Sequence, residues 1–496
     1  MPINGWVPPE IRVWRVVASG DPGAATTATL PDVRVILVEF NELSPVLMDK
    51  FIAAGKLPNF ERLRSESGVY LTDAREEQQH LEPWIQWVTV HSGLSYEEHG
   101  IRNLGEGDKL AEKNLWDLLS DEGKRVWVCG SMNINYRSPI NGWVLPDPWM
   151  RSVKPLPEDE LEPYHRFVSA NVQEYTREQT PLSRREQARF LSFMARHGLS
   201  ASTVSAIVRQ LAQERTSDAH WKRAVILDKL QFDLFRSHWR RAKPDFATFF
   251  LNSTAHFQHL YWRNMEPEHF KVKPEPGAQA VYQDAILYGY EQMDAICGRF
   301  LRLAGDGTTL VFATALSQQP CLTYEEIGGK TIYRPRDFGR LLEAVGIEQA
   351  AKAEPVMANE FHLDFESEEM AREAETKLRA MRYGDEPAFG VKRNGTDLMC
   401  GCRIWEQLDA DAVLQVDGNG GEVPFFELFY QIDLIKSGMH HPDGMLWIRT
   451  SARRHSEHSE KVPLVAIAPT ILKMFGLRAS DYMKGEPLPE RESAVV

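Results

Sequence analysis

A chain of 496 residues is long enough to bury a large core, and its 43% apolar and 26% charged residues are those of an ordinary globular protein. The formal charge of −13, with a pI near 5.7, repels polyanions over most of the surface and argues against a nucleic-acid partner. No stretch of about 18 uncharged apolar residues occurs, and the start lacks a basic region leading into an apolar run, so neither membrane span nor signal peptide is expected.

Five cysteines, Cys129, Cys297, Cys321, Cys400 and Cys402, make an odd count without framework spacing. They read as reduced core thiols, and a cytoplasmic location is expected with them. The basic run "RSHWRRAK", Arg236 to Lys243, reads as the solvated end of a helix.

Residues 1–32 read as an N-terminal extension. The apolar run Val33 to Phe40 then predicts a strand buried on both faces, ending in the polar Asn41 and Glu42. A helical stretch is expected over Val46 to Leu63. The segment "LEPWIQWVTVHSG", residues 81–93, predicts a helix starting at Pro83, where a missing N–H is harmless, with Glu82 at the N-cap. "NLWDLLSDEGKRVWVCGSMN" reads as helix, glycine turn and second buried strand.

Residues 150–243 are polar with helical spacing, as in "REQARFLSFMARHGL", and predict a helical insertion or cap. Strands follow at 245–252, 308–317 and 444–451, with helices at about 280–303 and 462–475. Residues 330–425 predict a small α+β insertion with a turn at Asn394 and Gly395. The core is thus expected in three parts, 33–149, 244–329 and 426–496. Alternating strands and helices predict a doubly wound, mostly parallel α/β sheet, whose sites lie beyond the carboxyl ends of its strands.

Several pieces in order, "VEFNELSPVLMDKFIAAGKLPNFERL", "HSGLSYEEHGI", "NLWDLLSDEGKRVWVCG", "NSTAHFQHLYWR", "GMHHPDG" and "APTILKMFGL", resemble the alkaline phosphatase superfamily, in particular its type I phosphodiesterase and nucleotide pyrophosphatase branch. The resemblance implies a Ser or Thr nucleophile at a helix N-terminus beside two divalent metals, held by Asp and His residues. Two metals clamp the attacking and leaving oxygens, so their ligands are a chemical requirement. This sequence departs from that set. The first-strand Asp falls on Asn41, a later Asp on Ala255, and an Asp-His pair on Ala315 and Leu316. The nucleophile falls on Glu82 or Pro83, while His259 and His440 match retained histidines.

No carboxylate of the matched metal set survives, and a catalytic zinc usually needs three protein ligands. The expectation is therefore a metal-independent site, or at most one zinc or manganese ion if His256 or Glu82 completes a set with His259 and His440. Glu82 at a helix start is stabilised as an anion, by about 0.3 to 1 kcal/mol in exposed settings. It either fills a vacated site or replaces the nucleophile.

Glu39 and Glu42 flank Asn41 at the end of the first strand, with Glu42 the better placed to pair with Glu82. A carboxylate pair about 5 to 5.5 Å apart would suit glycosyl transfer. Trp84 and Gln86, with His256, His441 and Asp443, are candidate substrate contacts, although aromatic residues at helical spacing are commonly core and Asp443 sits before a turn glycine. His99 in "EEHGI" reads as structural.

The expected function is an atypical hydrolase or transferase in which Glu82, Glu42, His259 and His440 act on a phosphorylated or glycosyl substrate, such as a sugar phosphate, nucleotide sugar or glycan. A metal-dependent phosphodiesterase or nucleotide pyrophosphatase is one alternative, and an inactive binding scaffold another. A homo-oligomer is compatible with each.

Overall fold

The computed structural model describes residues 33–489, apart from 151, 173–181, 348, 349, 351, 357, 358, 417–420, 433 and 434. The expected extension, 1–32, lies outside the described residues.

The first strand, β1 (Arg34–Phe40), is buried along nearly its whole length. Its alternate residues enter two different cores: Ile36, Val38 and Phe40 join one apolar cluster, and Val35 and Leu37 another. Side chains alternate across a strand, so a run apolar at every position requires helices on both faces. One face carries, among others, the helices Ala224–Ala242, Ser253–Met265 and Ala285–Ala304; the other carries Pro83–Ser92, Leu115–Asp121 and Ile467–Met474.

The remaining strands of the central sheet include β2 (Gly68–Asp73), β3 (Val126–Cys129), β4 (Gly142–Leu145), β5 (Phe246–Leu251) and β6 (Thr308–Ala313). Beyond β6 come β7 (Ser317–Pro320), β8 (Gly438–His441) and β9 (Asp443–Arg449). The order is β2, β9, β6, β1, β5, β3, β4, with β4, β3, β5, β1 and β6 mutually parallel and β9 antiparallel to both β6 and β2. The doubly wound, mostly parallel sheet is therefore the observed architecture. Strands β7 and β8 pair with each other outside it, just past the carboxyl end of β6.

Several expected boundaries shift for local reasons. The helix expected over Val46 to Leu63 is two helices, Pro45–Ala53 and Pro58–Ser65, because Gly55 takes a left-handed φ of 69° and Pro58 restarts the chain. The strand expected over 308–317 stops at Ala313, and Ala315 turns the chain with a φ of 56°. In the small insertion Asn394 still pairs with Asp397, so the two-residue turn is Gly395 and Thr396, one position later than expected.

The described residues of 150–243 are mostly helical, and Tyr164, Phe193 and Phe235 share the apolar cluster of β1 and β5. The small insertion has its own core, including Phe361, Leu363, Leu378, Leu398 and Phe425, beneath a four-stranded antiparallel sheet. All five cysteines are buried and free.

Candidate functional site

Beyond the carboxyl end of β1 the backbone makes a turn that few side chains tolerate. Glu42 has a φ of 61° and is only 2% exposed. A bulky residue held left-handed is strained, and such strain persists only where neighbours dictate it. Those neighbours are identifiable. Asn41 Nδ2 donates to Glu42 Oε1 at 2.6 Å and to Asn252 Oδ1 at 2.7 Å, while Asn41 Oδ1 accepts from Trp87 Nε1 at 2.8 Å. Gln258 Nε2 donates to the Glu42 carbonyl at 2.7 Å, and Gln318 Nε2 donates to Glu42 Oε2.

Two imidazoles meet the same carboxylate oxygen. His259 Nε2, on the helix Ser253–Met265, lies 3.1 Å from Glu42 Oε2, and His440 Nε2, on β8, lies 3.3 Å from it. His440 is the cross-strand partner of Gln318 on β7, which brings both to Glu42 together. Ser437 N donates to the His259 carbonyl at 2.7 Å, tying β8 to that helix. The approach needs a glycine: a Cβ on Gly438 would lie 2.3 Å from Gln318 Oε1 and 2.4 Å from the Gln258 carbonyl.

Glu82 is at the N-cap of the helix Pro83–Ser92, as expected, and its side chain makes no capping bond. Its Oε2 lies 3.5 Å from His440 Nδ1, so the two carboxylates address opposite nitrogens of one ring. Glu82 is the accessible one, its side chain 32% exposed. Burial disfavours the Glu42 carboxylate, but His440 and His259 outweigh burial and hold it well below the usual range. Burial pushes His259 down. At His440 the same effect is outweighed by Glu42 and Glu82, which raise it.

These donors suit a divalent ion. One oxygen of Glu42 and one nitrogen each of His259 and His440 lie within 4.8 Å of one another. His259 Nδ1 faces the Gly438 carbonyl at 3.1 Å; a carbonyl only accepts, so Nδ1 carries a proton, and in the neutral ring that binds a metal Nε2 offers its lone pair inward. His440 Nε2 is buried against the same Glu42 oxygen, at 3.3 Å. Two histidines and a glutamate are a familiar zinc-ligand set, and Glu82 stands where a carboxylate orients a ligating histidine from behind. Glu42, not His256, completes the set: His256 is exposed and outside it. Among the described residues no second set of donors lies beside it, since Asn41 is committed to Glu42 and Trp87, and Ala255, Ala315 and Leu316 carry no ligand atoms in their side chains.

Other expected contacts are placed elsewhere. Glu39 is fully buried and paired with His91 Nε2 at 2.9 Å, because it points into the sheet face under the Pro83 helix rather than to the rim. Gln86 is fully buried and donates to the His80 carbonyl, and Trp84 Nε1 donates to the Arg102 carbonyl. Asn41 positions Glu42 instead of meeting solvent. His441 Nδ1 accepts from Asp443 N at 3.2 Å, and Asp443 pairs with Lys461 at 2.6 Å, which makes both turn residues. His99 is structural, as expected: it accepts from Ile101 N, and burial pushes it down to about 4.

Sequence reading missed Asn252, just past the end of β5, Gln258 on the helix that follows, and Gln318 on β7. It also missed two lysines. Lys330 and Lys436 face one another across an isolated backbone bridge, and the charge of Glu82 acts on Lys330. Glu360, from the small insertion, also senses Glu82, so that insertion borders the cleft.

No protein-family model matches the sequence, and no curated protein matches it. Solved structures similar to this one include murine ectonucleotide pyrophosphatase/phosphodiesterase 5, at 10% identity over 91% of this chain and 97% of that one, with a TM-score of 0.41. The phosphonoacetate hydrolase of Sinorhizobium meliloti 1021, in complex with phosphonoformate, is 12% identical over 91% and 97% of the two chains, with a TM-score of 0.41. Wild-type alkaline phosphatase PafA is 10% identical over 93% and 99%, with a TM-score of 0.43.

Proposed function

We propose that the chain is a hydrolase of a small phosphorylated substrate, built on one divalent ion held by Glu42, His259 and His440 in place of the two-ion arrangement. The observation that carries this reading is the convergence of those three donors, with both imidazole Nε2 atoms turned to one oxygen of Glu42. When bound, zinc or manganese would supply Lewis acidity toward a phosphoryl oxygen.

The protein's own groups divide the remaining tasks. Glu82, partly exposed and 3.5 Å from His440 Nδ1, takes the proton of the attacking water. Gln318 and Asn41 fix the Glu42 carboxylate, and Lys330 and Lys436 attract the substrate's negative charge. Chemistry at phosphorus is favoured over a sugar carbon because the His440 ring stands between the two carboxylates, leaving no open gap for a glycosidic bond.

The test is turnover of nitrophenyl phosphate mono- and diesters by zinc- or manganese-loaded protein. Glu82→Gln is expected to lower kcat by about 10²-fold or more with ion content unchanged. Turnover equal to the parent's would remove Glu82 from the chemistry. A carboxylate acting as nucleophile, the other role open to Glu82, would instead leave a phosphorylated intermediate detectable by mass on acid quench.

Lys330 gives the pH dependence. Burial, then repulsion from Lys436, lowers it to about 8, opposed by Cys321, Glu360 and Glu82, while Trp405 and Tyr324 cover it with their rings. It is charged below that value and neutral above it. KM for an anionic substrate should therefore rise as pH increases through about 8, and Lys330→Met should show the high KM at every pH.

A further inference from the structure

The helical segment contains a second meeting of one carboxylate with two imidazoles, remote in sequence from the first. Glu160 lies on the helix Glu158–Val172, His197 caps the helix Arg184–Arg196, and His238 belongs to Ala224–Ala242. His238 Nε2 is 3.2 Å, and His197 Nε2 is 3.4 Å, from the same Oε1 of Glu160.

The opposite ring nitrogens settle where the protons are. His238 Nδ1 lies 3.1 Å from the Leu234 carbonyl, and His197 Nδ1 lies 2.8 Å from the Phe193 carbonyl. Both carbonyls accept only, so each Nδ1 carries a proton, and whenever a ring is neutral its Nε2 lone pair turns toward Glu160. Two lone pairs facing a carboxylate oxygen repel unless a cation lies between them. Two imidazolium ions are a poor solution, because His238 is 1% exposed and the Arg241 guanidinium already stands 3.9 Å from that oxygen. One divalent ion satisfies all three atoms with both rings neutral.

The spacing fits as well. Tetrahedral zinc with bonds of about 2.0 to 2.1 Å places neighbouring donors about 3.3 Å apart, between the two separations to Glu160. The surroundings hold the donors in place: Trp143 Nε1 donates to Glu160 Oε2 at 3.2 Å, leaving Oε1 for the ion. His238 stacks on Trp127 at 4.8 Å, and His197 on Phe193 at 4.0 Å.

We propose that Glu160, His197 and His238 form a structural zinc site that fastens three helices of the segment 150–243 to one another, with a fourth position open to water. Nitrogen and oxygen donors of this kind favour zinc over magnesium or calcium. The ion would close chain loops that apolar packing alone leaves free, and binding would add directly to folding stability. The site does not depend on the proposed function, since no residue is shared.

The experiment uses the full chain carrying Glu42→Gln and His259→Ala, so that retained zinc reports the helical site. After equilibration with zinc and gel filtration, plasma mass spectrometry should find about one equivalent per chain, and zinc should raise Tm. Adding His197→Gln should abolish both effects with the far-ultraviolet dichroism unchanged. No retained zinc, or zinc unaffected by His197→Gln, overturns the proposal. If the double variant does not fold, Glu160→Gln in the parent chain decides: loss of one zinc equivalent supports the site, and an unchanged zinc content overturns it.

Discussion

Glu42→Gln is expected to lower kcat/KM for phosphoester hydrolysis by about 10³-fold and to strip the ion held with His259 and His440. The substitution preserves shape and most hydrogen bonds but removes the charge that both imidazoles face. An ion placed to polarise a phosphoryl oxygen contributes several kcal/mol, and about 4 kcal/mol is three decades in rate. Plasma mass spectrometry on the same preparation separates the readings. Glu42→Gln should lose an ion that Glu82→Gln keeps. If both variants bind the parent's complement while only Glu82→Gln is inactive, the catalytic centre lies on Glu82 without an ion at Glu42. If Glu42→Gln is fully active, the proposed function fails whatever the ion content.

The sequence disclosed the sheet more readily than the site. Apolar at every position from Val35 to Leu37, the first strand had to be covered on both faces, and its odd and even residues do enter separate cores. The Pro83 helix was legible because a proline fixes its start and Gly93, with a φ of 69°, its end. His259 and His440 could be placed from short pieces of resemblance. What could not be read was direction. Period-two alternation puts Glu39 and Asn41 on one face, yet the turn after Phe40 is a left-handed residue that swings Glu42 inward and leaves Glu39 beneath the sheet with His91. Nothing in "FNELSP" announces a φ of 61° at a glutamate, since the residues that impose it, Gln258 and Gln318, lie more than 200 positions away. The Glu160, His197 and His238 cluster was invisible for the same reason: helical spacing reveals an apolar stripe but not which polar residues three packed helices bring together.

Arg263→Met is expected to destabilise the chain by about 3 to 5 kcal/mol, measured by denaturant unfolding, because it leaves Glu325 buried and uncompensated. Arg263 donates to both oxygens of Glu325, at 2.7 and 3.2 Å, and lies over the Phe270 ring at 4.3 Å. Glu325 also accepts from Lys271 N and Val272 N. Burial raises the Glu325 carboxyl, but Arg263 and those backbone N–H groups outweigh burial and hold it below its ordinary value. A carboxyl with a depressed folded pKa contributes stability that is present above the unfolded value, about 4.3, and is lost as pH falls through the folded value. The gap between parent and Arg263→Met should therefore be widest near neutral pH and narrow in acid, where Glu325 is protonated in both. Replacing both partners, as Arg263→Met with Glu325→Leu, should recover much of the loss, since a well-packed apolar pair can substitute for a buried ion pair. The recovery should also reach the site, because Arg263 stands one turn beyond His259 on the same helix and fixes the end of the element that presents it. If the single variant were as stable as the parent at pH 7, the pair would be ornamental, and His259 would have to owe its position to the Gly438 carbonyl and Ser437 alone.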